Sequence, residues 1–267
     1  MTKFNNEGNS LMATKKSAKD ESPVAKKPLK IKVIGTGGIG LCLLPSLCRY
    51  LNYNGEKFPA VEVSLIDGDT FEERNRERQD FVETGPKASM TAAEYRGKFP
   101  RLMFWDHPVY VADHNIIQLI RENDIVLLCV DNHKTRKLIS DRAEELKNVT
   151  IISGGNDWTN GNVLLHLRRE EKNLTPPLAS KYHQEILNPT DENPADVEQK
   201  AEGCAELAVA APQLLITNNY IAANMLAALY NIIDEGRYEK VLAAPHNFAE
   251  VYCDLGMMKS IPRERRV

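Results

Sequence analysis

The sequence predicts an α/β fold: a Rossmann-like, doubly wound, mainly parallel central sheet with a C-terminal helix and strand. Three observations lead there. Strand-like and helix-like runs alternate along most of the 267 residues, the order that builds parallel sheets. A glycine turn, Gly35-x-Gly37-Gly38-x-Gly40, separates the first strand from the first helix. The run Asp124–Val130 is almost wholly apolar, as a strand covered on both faces must be.

Taken in order, residues 1 to about 28 are polar, with Lys15, Lys16, Lys19, Lys26 and Lys27 and few apolar residues. Burial there cannot offset the entropy of ordering, so a flexible basic tail is expected, with a basic arm that reaches a phosphate as the alternative. Lys32-Val33-Ile34 ends the first strand, and Leu41–Leu51 forms the helix beyond the glycines. Such a strand–turn–helix unit suits nucleotide phosphates, because glycines admit the phosphates and the helix start offers unpaired N–H groups. A bare βα turn without a ligand is the alternative. After a turn at Asn52–Gly55, the strand Val61–Ile66 runs into Asp67-Gly68-Asp69. Asp67 sits where an acidic residue takes ribose hydroxyls, and Asp69 either shares that site or caps the next turn.

Phe71–Gln79 carries three arginines and three glutamates, and on its own reads as a solvated helical face. Thr84–Lys87 then opens a helix, with Pro86 in its first turn. Lys87 opposes the helix dipole there unless an anion lies near. Phe104–Val111 and Asn115–Glu122 read as a strand and a short helix. The apolar strand ends at Asp131-Asn132, before a helix at Thr135–Leu146. Asp131 therefore lies in the crevice where open α/β sheets bind ligands, or caps that helix. Val149–Ser153, closed by Gly154-Gly155, and Asn162–Leu167 are further strands. Residues 168–203 lack clear periodicity and read as functional or mobile. A long helix from Pro212 to about Asp234, rich in alanine, leads to a strand at Phe248–Asp254 and a basic tail at Pro262–Val267.

Composition narrows the function. A formal net charge of −3 argues against nucleic-acid partners held by bulk electrostatics. The five cysteines form no CxxC pair, which excludes the usual zinc spacing and a disulfide framework. No apolar run approaches the roughly 18 residues of a membrane span, and no secretory signal is visible. A cytoplasmic protein without membrane partners is expected.

The motifs in this order resemble the ThiF/MoeB superfamily of ubiquitin-activating-type adenylyltransferases, over residues 29 to 254. Gly35, Gly37, Gly38 and Gly40 match the family's nucleotide loop, and Asp67-x-Asp69 the acidic motif after the second strand. Asn75-x-x-Arg78-Gln79 matches N-x-x-R-Q, Gly85-x-Lys87 the helix-start lysine, and Asp131-Asn132 with Arg136 the metal-binding motif. The size and motif style are also similar to the ThiF-like proteins of the bacterial PRTRC plasmid cassette. The resemblance implies one adenylation domain over 29–267, with a crossover loop at 168–211 carrying Cys204. It implies ATP and Mg²⁺ as cofactors, with Asp67 on the ribose, Asn75, Arg78 and Lys87 on the triphosphate, and Asp131 on the metal. Zinc is not expected, since the family's two CxxC pairs are missing. The implied partners are a small ubiquitin-like protein, a conjugating-type protein and a second copy of the chain. Many members place an N-terminal arginine in a partner's site; here the first arginine is Arg49, so that role is vacant or falls to a lysine of the tail.

The expected reaction joins a C-terminal carboxylate to the α-phosphate of ATP and then transfers the acyl group to Cys204 as a thioester. Two rivals use the same glycines. An NAD-dependent oxidoreductase would employ Gly35, Gly37, Gly40 and Asp67 but leaves Arg78, Lys87 and Asp131 without a shared purpose. A nucleotide-binding scaffold would dock a partner without chemistry.

Overall fold

The computed structural model describes residues 28–54, 57–76, 79–201, 215–233 and 248–267, side chains at 74 and 198–201 aside. The expected tail at 1–28 therefore falls almost wholly outside the described residues, and Arg78 and Cys204 lie outside them too.

The parallel half of the sheet is built as the apolar runs require. It comprises β1 (Leu29–Ile34), β2 (Val61–Ile66), β5 (Met103–His107), β6 (Ile125–Leu128) and β7 (Val149–Asn156). Their order is β5-β2-β1-β6-β7, all pairs parallel. Chain progress reverses between β1 and β6, the switch point at which such sheets open a crevice. All four residues of β6 are buried, because helices cover both faces there. One face carries α1 (Gly38–Asn54), α2 (Lys87–Lys98) and α7 (Leu215–Ile233). The other carries α3 (Ile116–Leu119), α4 (His133–Glu144) and α5 (Gln184–Leu187).

Beyond β7 the sheet turns antiparallel. β8 (Asn160–Arg169) returns along β7, followed by β10 (Phe248–Asp254) and β11 (Lys259–Glu264) at the edge. The sheet is thus mixed, with a parallel half and an antiparallel extension. The stretch after β8 holds the two-residue β9 (Lys172–Asn173), α5 and α6 (Pro194–Ala201). A two-residue hairpin of β3 (Thr70–Phe71) and β4 (Gly85–Pro86) stands apart. Among the described residues no helix is long and apolar enough to cross a membrane.

Several bounds differ from expectation, each for a local reason. α1 begins at Gly38 rather than Leu41, because Leu41 N–H already bonds Gly37 O at 2.9 Å. β5 stops at His107, where Pro108 has no N–H to continue a ladder. Among the described residues of the charged run, Glu73–Asn75 form one helical turn. Asn75 Oδ1 accepts the Glu72 N–H at 2.8 Å, Arg76 donates to Phe81 O, and Phe71 stacks on Phe81 with centroids 4.5 Å apart. The first half of the expected basic tail, Pro262 to Glu264, belongs to strand β11, which pairs antiparallel with β10 with a register shift between Phe248 and Glu250.

Candidate active site

The C-terminal ends of β1, β2, β6 and β7 open into one cavity of 1540 Å³. A small-molecule pocket usually measures about 300–1,000 Å³, so this one holds more than a nucleotide. Its floor is the glycine turn. Gly35 has φ +90°, and a Cβ there would lie 2.8 Å from Cys129 O. At Gly40 a Cβ would lie 2.1 Å from Gly35 O, so the helix seats on the turn only without a side chain. Gly37 and Gly38 line the cavity itself.

Asp67 ties this turn to β2. Its Oδ2 accepts Thr36 N–H at 2.6 Å and Thr36 Oγ1 at 3.0 Å, and its Oδ1 accepts Asp69 N–H at 2.8 Å. A carboxylate offers about four lone-pair sites, so three are spent inside the protein and one remains. Burial, and then the Asp69 charge, push the Asp67 carboxyl above its ordinary value, against Lys87 and the two N–H groups. Thr36, one of the variable positions between the glycines, is the side chain that sequence reasoning missed.

Lys87 does have an anion beside it, from within the chain. Its Nζ lies 2.8 Å from Asp69 Oδ2, and its N–H donates to Asp69 O at 2.8 Å. The lysine side chain is only 9% exposed. Asp69 also accepts the Tyr110 hydroxyl, so it serves as the counter-ion of Lys87 and caps no turn. Burial alone would raise the Asp69 carboxyl; Lys87 and Tyr110 outweigh it and hold it below the usual range. Asn75 and Gln79 line the same cavity, and Gln79 Oε1 is buried without a hydrogen-bond partner among the described residues.

Across the crevice, Asp131 is exposed, lines the cavity and has no hydrogen bond or ion pair among the described residues. The cap of α4 is Asn132, whose Oδ1 accepts Thr135 N–H at 2.8 Å, which leaves the Asp131 carboxylate uncommitted. Beneath it, Arg136 is buried, donating to Val130 O at 2.6 Å, Gly154 O at 3.0 Å and Ser153 Oγ at 3.1 Å. A hard, unpaired carboxylate facing a space for phosphates suits Mg²⁺, which binds through one or two carboxylates plus phosphate oxygens. Among the described residues no group of three or more His, Cys, Asp or Glu could hold a metal, so nucleotide oxygens would complete such a site.

The roof comes from the segment after β8. Asp191 accepts the N–H groups of His133 and Lys134 at 2.5 and 3.0 Å, a carboxylate at the start of α4 beside the Asn132 amide cap. Asn193 caps α6 through Ala195 N–H at 3.0 Å and donates its amide to Val111 O at 3.0 Å. These latches had no local sequence signal, since their partners lie 58 and 82 residues away.

The structure therefore brings Gly37, Gly38, Asp67, Asp69, Asn75, Lys87 and Asp131 onto the walls of one cavity. Gly35 also lines it, while Gly40 packs behind. The four described cysteines, Cys42, Cys48, Cys129 and Cys253, are free. Burial pushes Cys48 and Cys129 up to about 12 and raises Cys42 and Cys253.

A model of the ThiF family matches residues 19–263. The adenylyltransferase and sulfurtransferase UBA4 of Kluyveromyces lactis is 31% identical over 136 residues, covering 48% of this chain and 29% of the relative. The Candida glabrata UBA4 is 26% identical over 227 residues, 83% of this chain and 47% of the relative. The chain thus spans less than half the length of either relative. The solved structure of E. coli MccB with ATP has a similar fold, with TM-score 0.61 at 15% identity over 88% of this chain and 63% of that one. PaaA has TM-score 0.58 at 15% identity, covering 88% and 72% of the two chains. A family model that runs from the N-terminal lysines into the last strand, on a sheet with this glycine turn and this crevice, settles membership: the chain belongs to the ThiF family.

Proposed function

We propose that the chain is an ATP-dependent adenylyltransferase acting on the C-terminal carboxylate of a small ubiquitin-like protein. A carboxylate oxygen attacks the α-phosphorus, the bond to the bridging oxygen breaks, and pyrophosphate leaves with its charge. The observation that carries this reading is the single cavity joining an open glycine turn, a buried lysine and an unpaired strand-end carboxylate. The names of the UBA4 relatives and the fold shared with ATP-bound MccB point the same way.

In this reading Gly37 and Gly38 admit the phosphates, and Lys87, Asn75 and Arg78 take up charge on them. Lys87 would exchange Asp69 for phosphate. Asp67, with one acceptor site left, takes one ribose hydroxyl without releasing the glycine turn. Asp131 would hold Mg²⁺, which neutralises charge on the leaving phosphates. Cys204 is proposed to take the acyl group next: its thiolate attacks the acyl carbon and AMP departs, leaving a thioester. A conjugating-type protein would receive that acyl group. A homodimer without zinc, in the cytoplasm, completes the assignment. The narrower likeness, to the PRTRC-cassette proteins, rests on size and motif style alone.

Isotope exchange between pyrophosphate and ATP tests the reading, in the presence of a ubiquitin-like protein ending in glycine. Exchange that requires a free C-terminal carboxylate supports adenylation. Tight NADH binding, read by the fluorescence of Trp105 and Trp158, without ATP binding would replace it with an oxidoreductase. ATP binding with no exchange for any such protein would leave only a scaffold.

A further inference from the structure

The cavity does not end at the nucleotide turn. It extends over the antiparallel half of the sheet, where β10 and β11 carry Glu250, Tyr252 and Arg263, Arg265 follows β11, and Tyr182 and His183 also line the wall. Two arginines, Arg263 and Arg265, face two carboxylates there, Glu185 and Glu250. Glu250 is almost fully buried, and Arg265 satisfies it through Nε and Nη2 at 3.1 and 2.8 Å from Oε2. His183 is bonded to Glu185 at 3.0 Å. Arg263 stands opposite Glu250 in the strand register and forms an ion pair with it, Nη1 to Oε1 at 3.6 Å, a separation beyond hydrogen-bond length that leaves its N–H donors unspent. No hydrogen bond to its guanidinium occurs among the described residues, and its side chain is 42% exposed.

The arginine is nevertheless held. Its Cζ lies 4.6 Å from the Tyr252 ring centroid, as Arg265 lies 4.9 Å from Tyr182. A guanidinium braced on an aromatic face keeps its planar fork of donors and loses little freedom when a carboxylate arrives. Position decides what brings that carboxylate. From β6, which carries Asp131 at its end, to β11 there are four strand spacings, about 19 Å at roughly 4.8 Å each. An extended peptide covers about 3.4 Å per residue, so that gap corresponds to five or six residues.

We propose that Arg263, braced on Tyr252, selects substrates carrying an acidic side chain five or six residues before the C-terminal carboxylate. The proposal rests on the adenylation reading for where the terminus lies. Arg263 is a specificity residue and takes no part in the reaction at phosphorus.

Fluorescein-labelled decapeptides ending in Gly-Gly, with one Glu scanned along an Ala/Ser background, test it by anisotropy on the full chain with ATP. The expected result is tightest binding with Glu five or six residues from the end, weakened about tenfold to a hundredfold by Gln there. Arg263→Gln should flatten the scan while ATP affinity holds, and Arg263→Lys, which keeps the charge opposite Glu250, should retain the Glu preference. A wild-type scan without a Glu preference, a scan unchanged by Arg263→Gln, or no peptide binding at all overturns the proposal. C-terminally amidated peptides separate the two readings. A Glu preference indifferent to amidation sinks the adenylation assignment alone, and binding that needs the free carboxylate but ignores Glu sinks this inference alone.

Discussion

Gly37→Ala distinguishes a phosphate-binding turn from a bare one. Among the described residues a Cβ at Gly37 meets Gln79 Nε2 at 3.7 Å and nothing closer, and the backbone there is outside the left-handed region. The methyl group thus fits the empty protein. Replacing glycine by alanine in a compatible conformation stabilises by about 0.4–1 kcal/mol through the unfolded chain. For a chain of this size that is an upward melting shift of about 1–4 °C. A phosphate drawn against the turn would lose its close approach to the backbone N–H groups. Losing one hydrogen bond to a charged group costs about 1.5–3 kcal/mol, or roughly tenfold to a hundredfold in ATP affinity. Calorimetric titration with ATP–Mg²⁺ and thermal unfolding measure the two effects on one sample. Gly40→Ala is the contrast, because its Cβ would overlap Gly35 O at 2.1 Å and unfold the chain before any ligand is added. If Gly37→Ala binds ATP within twofold of wild type, the turn does not cradle phosphates, and the site assignment built on it is wrong.

Three further predictions concern other parts of the site. Asp131→Ala should lower pyrophosphate exchange by about 100- to 1,000-fold with the melting temperature unchanged, since this exposed carboxylate holds nothing in the fold. Exchange near the wild-type rate would remove it from the metal role. The Asp69 carboxyl is held below its ordinary value by Lys87 and Tyr110 against burial, so its stabilisation is complete above the unfolded pKa and lost as pH falls through the folded one. Lys87→Met leaves the burial term unopposed by the ammonium, so acid unfolding followed by circular dichroism should move to higher pH; an unmoved or lowered midpoint would refute the pairing. With Cys48 and Cys129 pushed up to about 12 and Cys42 and Cys253 raised, iodoacetamide near pH 8 should modify Cys204 first in the native chain. Cys204→Ala should still form the adenylate but no reducible thioester, and a thioester surviving that change would move the role elsewhere.

What the sequence revealed is what short-range patterns encode. The β-branched runs of β1 and β2 and the apolar run of β6 specify buried parallel strands, and the glycines mark a turn. Asp67, Asp69, Lys87 and Asp131 end on one cavity because each follows a strand end or opens a helix on the same side of the sheet, and Asn75 reaches it from the turn Glu73–Asn75. Long-range pairing hid the rest. Lys87 reads as an unbalanced cation until the fold brings Asp69 to it across 18 residues. Strand β11, reading KSIPRE with a proline and four polar residues, shows little strand pattern, and only its partner β10 makes it one. Arg263 therefore read as part of a basic tail, although the register sets it opposite Glu250.

The latch at Asn193 fixes a length as well as a place. Pro194 lines the cavity and opens α6, whose 8 residues carry the chain about 12 Å at 1.5 Å per residue. Cys204 is three positions past Ala201, and a three-residue tether extends at most about 10 Å. If Cys204 takes the acyl group as proposed, chain length alone keeps it within roughly 22 Å of Pro194, by the sum of those two spans. Delivery of the sulfur to an adenylate would then be a matter of bending a few residues beyond a fixed post, with no rigid domain required to swing.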